Sequence, residues 1–111
     1  MAKFEALEVA VELVGAMRPI VEQVRRQDRD LAEQMRRATT SVPSNIAEGS
    51  RRQGRDRNHH FSIAAGSADE ARVQLRIALA WGYVEQVSVG PALALVDRVL
   101  AMLWRAVHPR A

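Results

Sequence analysis

Apolar residues return every three or four positions in four separate stretches of this chain and nowhere alternate, which commits it to packed amphipathic helices. The first stretch runs Phe4, Leu7, Val11, Val14, Met17, Val21 and Val24. A second line, Val9, Leu13 and Ile20, widens the apolar face beyond what one neighbour covers, so this helix sits deep in a bundle or touches another subunit. Pro19 denies a hydrogen bond to the carbonyl of Gly15, which predicts a kink within it.

The second stretch follows Asp28 and Asp30, either of which can cap a helix start. Its seam is Leu31, Met35, Ala38, Val42 and Ile46, and it stays in phase across Pro43. An interior proline costs about 3 kcal/mol, and each buried Leu or Ile returns about 1.5–3 kcal/mol. One helix kinked at Pro43, from about 29 to 49 and stopped by Gly49, is therefore expected, with a break at Val42 as the alternative, since the residue before a proline resists the helical region. Pro43→Ala should straighten it and alter assembly; unchanged oligomer mass and helicity would count against that role.

Residues 51–57 carry no apolar side chain, so they form an exposed connection, with Asp56 as cap of a third helix. That helix buries Phe61, Ala64 or Ala65, Ala68, Ala71, Leu75 and Ala78 or Leu79, ending near Trp81. Its small Ala64–Ala68 segment invites close approach, which offsets the cost of about 1 kcal/mol at Gly66, and is expected against Pro43 and Asn45. Gly82 should end the helix and turn Tyr83 back onto the bundle. The last helix starts from Ser88 with Pro91 in its first turn. It buries Ala92, Val96, Val99 or Leu100, Leu103 and Val107, with Leu95, Met102 and Trp104 widening the face, and closes at His108-Pro109. Four helices with short links make an all-α, antiparallel up-down-up-down bundle, one domain over residues 1–111.

No cysteine is present, which excludes disulfides and thiolate chemistry. Glu5, Glu8 and Glu12 interrupt the N-terminal apolar positions, so no signal peptide is expected; nor is a membrane span, which needs about 18 apolar residues, and the cytoplasm is the expected compartment. Charge is uneven: residues 1–34 carry 5 basic and 7 acidic side chains, residues 35–76 carry 8 and 4, and residues 77–111 carry 3 and 2. Lys3 is the only lysine, and the arginine fork suits phosphate and carboxylate.

Chemistry-bearing clusters are sparse. His59 and His60 are adjacent, so on a helix they point about 100 degrees apart and cannot share a metal, nor do Asp56 and Asp69 complete a ligand set. Asp69 and Glu70 diverge in the same way, and Ser41, Ser44 and Ser62 lack activating neighbours. Neither an enzyme, a cofactor nor a metal site is expected. Arg36, Arg37, Arg51, Arg52, Arg55, Arg57, Arg72 and Arg76 remain as candidates for one basic, phosphate-binding surface without sequence preference. No exposed aromatic platform for base stacking is evident from the sequence.

The segment Met35-Arg36-Arg37-Ala38, followed by Ser41-Val42-Pro43-Ser44-Asn45-Ile46-Ala47-Glu48-Gly49 and by the later Gly82-Tyr83 pair, resembles a bacterial four-helix-bundle family. It includes proteins encoded in 23S rRNA intervening sequences and accessory variability proteins of diversity-generating retroelements. The start of helix three departs from the family, with Asn58-His59-His60-Phe61-Ser62-Ile63 where an aromatic-rich pattern is usual. The resemblance implies a homopentameric, barrel-like assembly with a basic face or channel and, in the retroelement branch, nucleic acid and a reverse transcriptase as partners.

On the residues alone, Pro43, Asn45, Glu48 and Gly49 form a structural motif. Asn45 and Glu48 are suited to satisfy the carbonyl freed near Thr39 and the amides of the neighbouring helix end; the alternative is that they line a groove. The expected function is a self-assembling helical protein whose arginines bind RNA, DNA or a nucleic-acid enzyme. The alternatives are a structural scaffold, an antitoxin-like or regulatory partner, or an acidic protein as the arginines' ligand.

Overall fold

A computed structural model describes residues 2–109, with side chains from Glu5 to Pro109, so the side chain of Phe4 lies outside the described residues. Four helices follow in order: α1 (Ala2–Arg25), α2 (Arg29–Ser50), α3 (Gly54–Trp81) and α4 (Gln86–Val107). They form the expected antiparallel up-down-up-down bundle, about 45 Å long. Each helix packs on its two neighbours, α1 on α2 and α4, and α3 on α2 and α4; α1 lies diagonally across from α3, and α2 from α4.

The core is aliphatic and narrow. Leu13, Met17, Met35, Ile46, Leu75 and Leu103 are fully buried, while α3 contributes Ala64, Ala68, Ala71 and Ala78 and one buried aromatic, Phe61. On α1 both apolar lines enter the core: Val9, Leu13 and Ile20 face inward with Ala6 and Ala10, as do Met17, Val21 and Val24 of the first line, whereas Val11 (53% exposed) and Val14 (37%) face out. Both lines have helical spacing, so periodicity alone could not decide that Val11 and Val14 would be the positions left outside.

The turns refine the expected boundaries. Asp28 is the cap of α2, accepting from the amide of Leu31 at 3.0 Å. α2 continues through Pro43 and past Gly49 to Ser50, and Gly49 has ordinary helical backbone. α3 begins at Gly54, two residues before Asp56, because the φ of +60° at Gly54 makes the turn there; Gln53 precedes it without a side-chain cap. Its far end behaves as expected. Gly82 takes φ +79°, and the amide of Tyr83 reaches back to the Ala78 carbonyl at 2.9 Å, the Schellman arrangement.

α4 starts at Gln86 after Glu85 rather than at Ser88, which places Pro91 in the second turn. Contrary to expectation, α4 is long and apolar enough to cross a membrane. Here it is the fourth member of the bundle, with Val89, Ala92, Val96, Val99 and Leu103 in the common core.

Candidate nucleic-acid interface

The candidate arginines do not form one surface. The largest group gathers at the α2–α3 turn, where Glu48 accepts from Arg51 at 2.6 Å and Arg52 at 2.7 Å, and Arg52 also reaches Asp56 at 3.1 Å. Arg55 stands exposed beside them and makes no ion pair among the described residues. Arg57 is half-buried and turned across the bundle: its Nη2 donates to the carbonyl of Ala106 at 3.2 Å, and its guanidinium lies 5.6 Å from the centre of the Phe61 ring. At this end Arg51 and Arg52 take up the two carboxylates, while Arg55 and Arg57 pair with neither.

Arg36 and Arg37 lie elsewhere, on the side of α2 toward α1. Both pair with Glu33, Arg36 also through Nε at 3.1 Å, and Arg25 of α1 approaches the same carboxylate at 3.9 Å. Arg72 faces the opposite side, held between Asp69 and Asp97 of α4 at 3.4 Å each, with Arg76 one turn further along. Residues at i and i+4 share a helix face, so spacing could join Arg72 to Arg76 but could not say which side of the bundle either occupies.

These clusters shift titrations in a definite direction. The hydrogen bonds from Arg52 and Arg51 hold the Glu48 carboxyl below its ordinary 4.5, and that from Arg36 does the same for Glu33. A carboxylate with a depressed folded-state pKa stabilises the fold above 4.5 and loses that contribution as pH falls through its folded value. The pairs are exposed and the effect is small. The expected result is that the melting temperatures of the unaltered chain and Glu48→Gln converge between about pH 5 and pH 3, read by circular dichroism; a constant gap would remove the ion pairs from the account.

The Pro43–Gly49 segment is a packing device with a polar seam. Asn45 Nδ2 donates to the carbonyl and hydroxyl of Ser41, both at 3.0 Å, rather than to a carbonyl near Thr39. Asn45 Oδ1 meets His60 Nδ1 at 3.2 Å, so that nitrogen carries the proton, and Ser67 Oγ donates to Ser41 Oγ at 2.8 Å. Glu48, expected at helix-end amides, turns to Arg51 and Arg52 instead. The small segment of α3 does meet α2, through Ser67. Gly66 itself is exposed with nothing within 4 Å of where its Cβ would be.

Gly49 is the glycine that permits close approach. A Cβ there would lie 2.7 Å from the Phe61 ring and 3.2 Å from the Arg57 carbonyl. Sequence reasoning missed His60, Ser67 and the Gly49–Phe61 contact. The only available signal was Phe61 itself, the one large aromatic in a seam of alanines.

Two exposed aromatic stacks also escaped the sequence. Trp81, 69% exposed, stacks with Tyr83 at a centroid distance of 6.2 Å, and Trp104, 60% exposed, stacks with His108 at 4.3 Å and 18°. Tyr83 leans back so that its hydroxyl approaches Asp28 Oδ2 at 3.5 Å; burial and then this carboxylate hold the phenol above its ordinary 10. His59 and His60 meet edge to face at 5.7 Å, and among the described residues no group of three histidine or acidic side chains is placed to hold a metal ion.

A closed antiparallel bundle with an arginine-rich α2–α3 turn defines a helical-bundle protein. The model of the 23S rRNA-intervening sequence protein family matches residues 2–105, and the chain belongs to that family. A crystal structure of a protein of unknown function from the S23 ribosomal protein family of Bacteroides thetaiotaomicron superposes with a TM-score of 0.88 at 17% identity, covering 97% of this chain and 99% of that one. At that identity the likeness shows the fold. No curated protein matches the chain.

Proposed function

We propose that this chain is a non-enzymatic cytoplasmic protein that assembles into a ring, of five copies as the family resemblance implies, and binds nucleic acid through phosphate contacts without sequence preference. The observation that carries the binding is the α2–α3 turn, where Arg51, Arg52, Arg55 and Arg57 outnumber Glu48 and Asp56. Their fork geometry and exposure suit phosphate. The family's link to 23S rRNA intervening sequences fits such a ligand. A reverse-transcriptase-like enzyme on the same nucleic acid is the protein partner this reading allows.

Assembly is supported by apolar surface that the bundle leaves uncovered. Val11 and Val14 face outward on α1, and Val73 (51% exposed) and Ile77 (39%) face outward on α3. Because α1 and α3 are diagonal, these unlike patches point in opposite directions. Two unlike patches on opposite sides favour a head-to-tail contact, which closes into a ring when the rotation allows. Repetition then multiplies weak phosphate contacts through avidity.

Two measurements test this reading. Sedimentation at micromolar concentration should give a discrete multiple of the chain mass, and a stable monomer would remove the ring. Anisotropy titration of labelled single-stranded DNA and structured RNA should show affinity falling steeply with salt. Absence of binding at low salt would leave a structural scaffold.

A further inference from the structure

We infer that the groove between residues 61–69 of α3 and the last turns of α4 is a stacking site for an unpaired base of single-stranded nucleic acid, with the Trp104 indole as its platform. This rests on the nucleic-acid reading above but goes beyond it, since phosphate attraction alone requires no aromatic side chain. The groove has a volume of about 520 Å³, and its lining includes Phe61, Ser62, Ala65, Gly66, Leu100 and Trp104. Trp104 is a costly residue to leave in water, yet 60% of it is exposed. One face of the indole is backed by His108, which stacks on it at 4.3 Å and whose Nδ1 donates to the Trp104 carbonyl at 3.0 Å. An indole already backed by one ring loses less conformational freedom when a second flat ring stacks on it. Gly66 keeps the α3 wall low, with no atom within 4 Å of where its side chain would begin.

The charge around the groove suits a polyanion whose bases enter it. Arg57 crosses from α3 to the Ala106 carbonyl, with Phe61 beneath it, and forms no ion pair with a carboxylate among the described residues. Arg105, next to Trp104 and exposed, and Arg55, in the first turn of α3, are likewise without ion pairs among the described residues. The one carboxylate in the lining, Asp69, is engaged by Arg72 at 3.4 Å. A base can therefore stack while its flanking phosphates meet arginines. The Ser62 hydroxyl and the His108 ring offer hydrogen bonds that do not select one base.

The test uses the full chain with Trp81→Phe, which leaves Trp104 as its single tryptophan. Two labelled probes of equal phosphate number are compared: a 12-nucleotide thymidine strand and a 12-residue abasic strand. Stacking on an aromatic side chain predicts about tenfold or tighter binding of the thymidine strand, with quenching of Trp104 emission on saturation. Trp104→Ala should bind both strands equally, with the affinity for the abasic strand unchanged, and Trp104→Phe should recover part of the preference. Equal binding of the two probes by the Trp81→Phe chain, saturation without quenching, or a thymidine preference that survives Trp104→Ala would each overturn the stacking site. In all three of those results the arginine reading stands. Failure of both probes to bind at low salt would instead sink the nucleic-acid reading, and the site with it.

Discussion

Gly49→Ala lowers the stability of the otherwise unaltered chain by about 1–2 kcal/mol, although alanine is the better helix former, and stabilises a chain in which Phe61 is already replaced by alanine. The sign turns on one contact. In the intact core the new methyl falls 2.7 Å from two atoms of a buried ring, and the Arg57 carbonyl at 3.2 Å leaves the ring little room to be accommodated by a backbone shift. Overpacking of that kind outweighs the helix preference of about 1 kcal/mol. Phe61→Ala by itself should cost about 3–5 kcal/mol, because the alanines around it cannot collapse into the space. In that background the methyl added by Gly49→Ala fills part of the cavity and the propensity gain reappears. Urea unfolding of the four chains in a double-mutant cycle measures the coupling. An equal cost for Gly49→Ala in both backgrounds would mean the glycine is there for another reason.

The second large effect concerns binding. Replacing Arg51, Arg52 and Arg55 together by alanine should reduce the salt slope of single-strand binding by about 2, at about 0.7 per lost phosphate contact, and weaken binding about a hundredfold near 0.1 M salt. Arg72→Ala should leave the slope as it was, since that guanidinium is held between Asp69 and Asp97 on the α3–α4 side. Arg57 is left intact in this test because its bond to the Ala106 carbonyl ties two helices. A slope that fell as far with Arg72→Ala would place binding on a different surface.

The sequence made the helices legible because burial imposes a period of 3.6 residues, and the Asp28 cap and the Gly82-Tyr83 exit because their chemistry is local. It was silent where the answer depended on a neighbour. Val11 and Val14, three apart, fit a helix period as well as Val9 and Leu13, four apart, and only the placement of α2 and α4 decides which pair is inside. Gly49 looks like a helix stop until Phe61 is set against it. The start of α3 was misplaced because a left-handed glycine turns the chain before any cap or apolar residue marks the helix. The arginines could be named from sequence, but not sorted to three sides of the bundle. Trp104 read as an extension of the apolar face, since its exposure depends on what does not cover it.

The reach of Tyr83 to Asp28 has a consequence for how the bundle breathes. It joins the α3–α4 turn to the α1–α2 turn, so both links at that end are cross-braced, and Val84 is buried between them and the core. The opposite end has the single α2–α3 link, and the last turn of α4 is tied there through the Arg57–Ala106 bond. Local opening, which follows the weakest cooperative unit, should start at this arginine-rich end and die out before the braced one. The end that would grip a flexible strand is thus the one whose shape can yield to it, while the far end keeps the four helices in register.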